Sequence, residues 1–375
     1  MNRGFYLTLM MGSFTASPVP QAVIDALSEV QVNSSMGAQS GFQLKFTLGK
    51  NSPLLQMQAA GYFDPRTRVI IAVTVNGSSE VLMDGIITKQ DLTPGTAAGK
   101  STLTITGLDL TALMNFIDLT GIPYPAIPLF LVVDIVLAKY LVLGIVPLVI
   151  PTIMSFVDNP LEHFRKQQGT DYAFVTTLAA EVGAVFYLDP GPTPGMSTVY
   201  WGPDLTRMFG SPQPALSIDL DATTNVDSMS FSYDGTVATQ YLATIIEPNT
   251  KIPIPIPIPN IDMLKASLAA HAPTPLKSAQ LKPLSMENPV GAALKIVGAL
   301  FESADAVTAS GQLDVLRYGQ VFKVRQLAAV RGASPYYDGK YFVKSVTHSI
   351  KRGEYKQSFT LARGGTGSSV STVSV

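Results

Sequence analysis

No cysteine occurs among the 375 residues, so disulfides, thiolate metal sites and cysteine nucleophiles are excluded. Charge is scarce as well. Asp, Glu, Lys and Arg make up 14% of the chain, against about 25% in a typical soluble domain. Those charges balance, 26 basic against 27 acidic for a formal net charge of -1. The chain therefore lacks the electrostatic footprint that nucleic acid or an anionic membrane surface would select. Histidine is limited to His163, His271 and His348, which lie in unlike contexts and form no HExxH pairing. His348 alternates with Val346 and Ile350, the pattern of a structural histidine on a strand. A P-loop, a GxSxG elbow and GxGxxG are all missing. No pair of carboxylates is marked for glycoside hydrolysis. The single Trp201 and the 14 tyrosines set up no base-stacking pattern. Asp219 and Asp221 form a DxD pair that strand alternation would put on one face, where a divalent ion can bind, but no third ligand is near. No catalytic, cofactor-binding or metal-ligating residue is assigned, no cofactor is implied, and an enzyme is not expected.

What is present is apolar. Hydrophobic residues make up 46% of the chain and the mean hydropathy is +0.26. So much apolar surface implies that part of the exterior is covered by other subunits or by lipid. Met1 to Met11 has no small-residue cleavage site; with Phe5, Leu7, Leu9 and Met11 on one side it predicts a first strand. Pro18 to Val30 predicts a helix from the spacing of Val23, Ile24, Leu27 and Val30. Strands are predicted at 41–50 and 69–75, the latter turning at Asn76-Gly77 into a return strand over 80–89. One more strand is expected around Leu103 and Ile105, followed by a helical turn over 109–116. Residues 119–157 are the most apolar part, and Tyr140 to Val157 carries no charge over 18 residues. That length meets the lower bound for a membrane helix. Gly144, Pro147 and Pro151 favour instead a short buried helix over 131–142 followed by an extended segment.

A polar helix is expected over 159–169 and an amphipathic one over 171–182, then strands at 185–188 and 198–201. The β pattern returns at 216–220 and 229–233. Ile252 to Pro259 reads IPIPIPIP; alternate residues lack an N–H, so an extended polyproline-type arm is expected rather than a central strand. It opens a Pro-rich insertion with one predicted helix at 290–301. Tyr341 to Ile350, a turn at Lys351 to Glu354, and Tyr355 to Arg363 make a hairpin with Tyr355, Phe359 and Leu361 on one face.

This hairpin resembles the hub family of contractile machines: phage late control protein D, phage baseplate hub proteins and the N-terminal part of type VI secretion spike proteins. The matching residues are Asp338-Gly339, Tyr341, Val343, Val346, His348 and Ile350, then Tyr355, Phe359, Leu361 and Arg363. A second stretch, Gln167 to Leu188, is similar to a family segment through Asp171, Phe174, Leu178, Ala179 and Gly183. A third is Asp84-Gly85-Ile86 with Ile105 to Leu110, including Asp109, similar to the family's first-barrel hairpin and the helix after it. Asp134 to Tyr140 resembles a short helix placed upstream of the second match.

The resemblance implies an α+β, β-rich fold with two antiparallel β-barrel domains flanking an α+β middle domain. The expected divisions are 1–113 for the first barrel, 114–210 for the middle, 211–365 for the second barrel with the Pro-rich insertion 246–309, and 366–375 for a flexible tail. It further implies a homotrimer whose six barrels form a pseudo-hexameric ring in the tail baseplate of a virion or an injection system. Such a ring joins a hexameric tail tube or tube initiator to a trimeric spike, with wedge subunits at the periphery. A six-fold tube cannot dock face to face on a three-fold needle without an adaptor of this kind. No spike-like segment follows residue 365, so a separate spike protein is expected. Three other readings compete: a structural protein anchored in a membrane through 119–157, a tail-tip cell-wall hydrolase whose carboxylates converge only in the fold, and a neighbouring part of the same machine such as a tube-initiator or spike-adaptor protein, for which six copies rather than three are expected.

Overall fold

The computed structural model describes residues 4–13, 15–95, 101–152, 165–246, 253–257, 268–271, 273–280 and 305–368. The fold is α+β and β-rich, and its main body is a 13-stranded sheet. From one edge the order is Ser228–Tyr233, Val307–Asp314, Glu354–Arg363, Gly339–Lys351 and Leu27–Ser35. It continues through Gly41–Leu48, Ser101–Asp109, Ser78–Thr93, Arg68–Val75, Phe5–Gly12 and the short Ser17–Pro18. Pro212–Ser217 and Leu327–Arg331 attach beside Gly339–Lys351. Neighbours are antiparallel except Pro212–Ser217 with Leu327–Arg331.

Two tight hairpins set the registers. Asn76 and Gly77 both have positive φ, 50° and 87°, as a two-residue type I′ loop requires. Arg352-Gly353 closes the second, with Lys351 opposite Glu354 and Gly353 at φ 77°. Gly339–Lys351 is the strand that unites the molecule. Its first residues, Gly339 to Phe342, pair with Leu327–Arg331, and Ser345 to Lys351 pair with Ser35 to Glu29. The N-terminal and C-terminal strands thus form one hydrogen-bonded sheet. One core lies against it, running from Leu9, Leu44 and Phe46 to Tyr341, Tyr355 and Leu361. Each fully buried Leu or Phe there contributes about 1.5–3 kcal/mol by leaving water.

A second core belongs to the middle of the chain. Helices Leu129–Ala138 and Asp171–Glu181 pack beside a three-stranded sheet of Val185–Pro190, Ser197–Gly202 and Ile145–Val149. Val132, Val133, Val136 and Leu137 form the buried stripe of the first helix. Thr170 caps the second, its hydroxyl accepting the Ala173 N–H at 3.3 Å, with Asp171 in the first turn where a carboxylate favours the dipole. Among the described residues no helix is long and apolar enough to cross a membrane. The described part of the apolar run, 119–152, holds the strand Pro123–Tyr124, the Leu129–Ala138 helix, a 3-10 turn and the strand Ile145–Val149 instead.

Several expectations are corrected. The helix over 18–30 shrinks to Gln21–Ala26, and Leu27–Ser35 is a strand. Leu27 and Val30 fit a helical period, but Val30 and Val32 also alternate, a register shift between Leu27 and Glu29 brings Leu27 to the same buried side, and pairing with strands on both sides favours the extended form. Of the polar helix expected over 159–169, residues 159–164 lie outside the described residues, and Arg165–Lys166 is a strand paired with Pro123–Tyr124. Pro253–Pro257 of the IPIPIPIP stretch pairs with Leu242 to Ile246 at the edge of a small sheet, a position where proline's missing donor is tolerated. Val307–Asp314, begun inside the expected insertion, is a strand of the main sheet. Thr366–Ser368, assigned to the tail, pairs with Ala269–His271. The helix expected at 290–301 lies outside the described residues. Pro53–Ala59 is a helix that the sequence reading passed over.

Candidate functional site

The residues singled out by resemblance fall into three buried clusters, each fastening one part of the fold to another. The first lies under the middle domain. All eight residues of Arg68–Val75 are buried or nearly so, because the strand is covered on both faces. Val69, Ile71, Val73 and Val75 enter the main core, while Arg68, Ile70 and Ala72 face the other way. Asp84 lies opposite Ile70 with no solvent exposure, so its carboxylate meets the Arg68 guanidinium on that face. Two hydrogen bonds join them, at 2.8 and 2.7 Å. Ser197 of the middle domain adds its hydroxyl to Asp84 at 3.1 Å, and Arg68 donates to the Gly195 carbonyl at 3.0 Å. Gly85 is required next door because a Cβ there would stand 2.2 Å from the Leu108 carbonyl oxygen.

Asp109 ends Ser101–Asp109 and caps the following 3-10 turn. Its carboxylate accepts the Ser40 N–H at 2.7 Å, the Thr111 N–H at 2.9 Å and the Thr111 hydroxyl. Burial pushes this carboxyl above its ordinary pKa, against the pull of those hydrogen bonds.

The second cluster centres on Asp171, 1% exposed. It accepts from Gln167 and Tyr140, both at 2.7 Å, and pairs with Lys139 at 2.6 Å. Tyr124 donates to Gln167 at 3.0 Å and stacks on Phe174 with ring centres 5.7 Å apart. The network ties both helices of the middle domain to the 123–124 strand. Gly183, at φ 63°, closes the second helix in the left-handed conformation that glycine adopts without strain.

The third cluster is the C-terminal hairpin. Arg363 is fully buried and donates to the carbonyls of Asp338 at 2.9 Å and Tyr336 at 2.8 Å, with its guanidinium 4.4 Å from the Tyr341 ring centre. Asp338 accepts the N–H groups of Gly332, Ala333 and Ser334, which folds the 332–338 turn. Gly339, at φ 126°, leaves space that a Cβ would take 2.9 Å from the guanidinium. His348 has Nδ1 2.8 Å from the Tyr355 hydroxyl and 3.3 Å from Gln357 Nε2. Burial lowers its pKa to about 3, so the ring is neutral. Val343 and Phe359 are core residues, the latter 5.2 Å from the Phe322 ring.

Several fastening residues escaped the sequence reading. Arg325, at φ 60°, places its guanidinium 4.3 Å over the Tyr187 ring and 3.6 Å from Asp189, joining the C-terminal half to the middle domain. Arg207 pairs with Asp305 and lies over Phe342. Gln357 brackets the Phe322 backbone, accepting its N–H at 2.9 Å and donating to its carbonyl at 2.7 Å. The only available signal was a buried-strand pattern interrupted by a polar residue, as at Arg68 before Val69-Ile70-Ile71. Asp219 and Asp221 do not share a strand face; both have positive φ, 49° and 48°, in a bend after Pro212–Ser217. Among the described residues no group of His, Asp and Glu has metal-site geometry. His163 lies outside the described residues, and His271 is exposed on its short strand.

The surface is most apolar where the sequence is. Phe116, Ile117, Leu131, Ile135, Leu141 and Val142 are all exposed, Val142 by 82%.

This architecture, a long shared sheet clamped to an α+β middle domain, is also found in solved tail proteins. The tail protein from Neisseria meningitidis MC58 matches over 97% of this chain and 98% of its own, with a TM-score of 0.61 and 13% identity. The 43 kDa tail protein of prophage MuSo2 from Shewanella oneidensis matches over 96% and 97%, with a TM-score of 0.58 and 13% identity. The E. coli c3393 protein, a component of the type VI secretion system, matches over 90% of this chain and 73% of its own, with a TM-score of 0.51 and 12% identity. No protein-family model matches the chain. No curated protein matches it by sequence.

Proposed function

We propose that the chain is a structural baseplate hub subunit. Three copies form a pseudo-hexameric ring that joins a hexameric tail tube, or its initiator, to a trimeric spike. The observation that carries this reading is the near end-to-end correspondence with two phage tail proteins, which leaves little of either chain outside the shared fold. The clamps described above support it. They hold three parts of one polypeptide together, as a load-transmitting ring needs. Strands of the first and second halves are read as the two related barrel modules, meeting where Ser345 to Lys351 pairs with Leu27–Ser35. The exposed apolar side chains of the 116–142 region suit the periphery, where wedge subunits would cover them. The chain acts by assembly, not catalysis, within the baseplate of a virion or an injection system.

Native mass spectrometry and electron microscopy of the purified full chain test this reading. Three copies around a central channel are expected. A monomer at high protein concentration, or a six-copy ring, would overturn the assignment.

A further inference from the structure

We propose that the open edge of Ser228–Tyr233 in one copy of this chain pairs with residues 89–93 of a second copy, extending the main sheet across the subunit boundary. The inference rests on the hub reading and names the contact that joins its copies. Two runs of strands within the main sheet repeat one another. Leu27–Ser35, Gly41–Leu48, Ser101–Asp109, Ser78–Thr93 and Arg68–Val75 lie side by side in the first half. Ser228–Tyr233, Val307–Asp314, Glu354–Arg363, Gly339–Lys351 and Leu327–Arg331 keep the same spatial order and the same chain order in the second. Neighbours within both runs are antiparallel. The likeness reaches single residues. Arg66 and Arg325 both have positive φ, 74° and 60°. Their N–H groups donate to the carbonyls of Ile87 and Val343, and the N–H groups of Ile87 and Val343 return to the carbonyls of Thr67 and Gln326, all at 2.9 Å. Directly after Ile87 and Val343, each long strand shifts register against its hairpin partner.

Ile87 is thus the counterpart of Val343, and residues 89–93 are the counterpart of the stretch that begins at Ser345. That stretch makes the joint between the halves, with Val346 opposite Ser34, Thr347 opposite Asn33 and His348 opposite Val32. Residues 89–93 have no such joint. One edge pairs with residues 102–106, and among the described residues no backbone group meets the other edge. Ser228–Tyr233, in turn, is the counterpart of Leu27–Ser35. It is the last strand of the sheet, bare on its outer edge among the described residues. Each half therefore carries both sides of the joint. One joint is made inside the chain, and the two remaining edges need a neighbouring copy to make the other.

The free backbone groups point the right way. Asp109 donates its N–H to the Ser40 carbonyl at 2.8 Å, so Thr102, Thr104 and Thr106 turn theirs towards Thr93, Asp91 and Lys89. Gln90 and Leu92 are left to present theirs to the open edge. Asp234 donates to the Ala306 carbonyl at 2.8 Å, which leaves those of Met229, Phe231 and Tyr233 outward. The register follows from the repeat. Val32 lies in a row with Phe42, Gly107 and Ile87. Phe231 lies in the matching row with Ala309, Leu361 and Val343. Phe231 therefore stands for Val32, and Leu92 for His348, so that Leu92 comes opposite Phe231. In that register Asp91 faces Ser232. Lys89, paired with Asp91 at 2.8 Å within the chain, faces the exposed carboxylate of Asp234. Leu92, 45% exposed, gains cover from the aromatic side chain across the joint. Copies joined in this way meet head to tail, the kind of contact that closes a ring.

Because the chain has no cysteine, a disulfide reads the contact directly. The full chain carrying Asp91→Cys with Ser232→Cys is oxidised and run on a denaturing gel without reductant. Both residues are exposed, so the changes leave the core intact. They would form a non-hydrogen-bonded pair with Cα atoms about 4.5 Å apart, within disulfide range. Covalent dimers and closed trimers are expected. The internal counterpart, Asn33→Cys with Thr347→Cys, should close within one chain, since those side chains already meet at 3.3 Å. Asp91→Cys with Ser228→Cys, out of register, should give no cross-link. A trimer that closes the internal pair but leaves the cysteines at 91 and 232 reduced would overturn the proposal and spare the hub reading. A disulfide between 91 and 232 of one chain would overturn it too, as would equal yield from the out-of-register pair. A chain that stays monomeric would overturn both this inference and the hub reading, so the two failures are distinguishable.

Discussion

Arg68 and Asp84 meet through paired hydrogen bonds, Nε to Oδ1 at 2.8 Å and Nη2 to Oδ2 at 2.7 Å, on a sheet face roofed by Gly195 and Ser197. A buried ion pair adds little net stability, because desolvation offsets the attraction, but removing one partner strands the other charge. Arg68→Ala or Asp84→Ala should therefore destabilise the chain by about 3–5 kcal/mol. Arg68→Met with Asp84→Leu should recover most of that loss, since the apolar pair leaves no orphan charge. Urea midpoints of the three variants check this; singles and double falling equally would rule out the clamp.

His348 gives the folded chain a defined response to acid. Buried beside Tyr355 and Gln357, it titrates at about 3, against 6.5 for a free histidine. Between those values the unfolded chain binds a proton that the folded chain refuses. Stability is thus fully present above about pH 6.5 and falls as the pH drops towards 3, by about 1.4 kcal/mol per pH unit. His348→Gln should flatten the difference. Urea unfolding at pH 4, 5, 6 and 7 for both proteins measures it, and equal slopes would show that the ring already titrates normally.

How much of this was legible in the sequence depends on the range of the interaction. The Asn76-Gly77 hairpin and the one at Arg352-Gly353 were readable because a two-residue loop fixes its own register locally. The middle helix with Asp171 and Phe174 was readable because its amphipathic spacing is set by residues within one element. The strand Leu27–Ser35 was not, since what makes it extended is pairing with Ser345 to Lys351, more than 300 residues away. The roles of Asp84 and Asp171 were hidden for the same reason. Their positions stood out by resemblance, but the partners Arg68, Ser197, Lys139 and Gln167 come from separate elements that only the fold brings together. The DxD pair failed at shorter range. Positive φ at Asp219 and Asp221 replaces strand alternation with a bend, which composition does not announce.

Arg363 carries the most demanding requirement for one residue type. Its two Nη atoms donate to the Asp338 and Tyr336 carbonyls while the guanidinium plane covers the Tyr341 ring at 4.4 Å, and the arginine itself has no solvent exposure. Burial lowers its pKa from the ordinary arginine value, yet an arginine starts so high that it stays charged. A lysine cannot copy this arrangement. It has one nitrogen for two divergent carbonyls, has no plane to stack, and loses its proton readily when buried. Arg363→Lys should thus cost nearly as much as Arg363→Met, about 1–3 kcal/mol, because each loses at least one charged hydrogen bond to a partly buried carbonyl together with the ring contact. The damage should localise. Faster amide exchange is expected over 332–341, where Asp338 and Gly339 form the turn that Arg363 holds. The Ser345 to Lys351 pairing with Leu27–Ser35 should keep its protection. Full rescue by lysine would mean that charge alone matters there and that the planar fork does not.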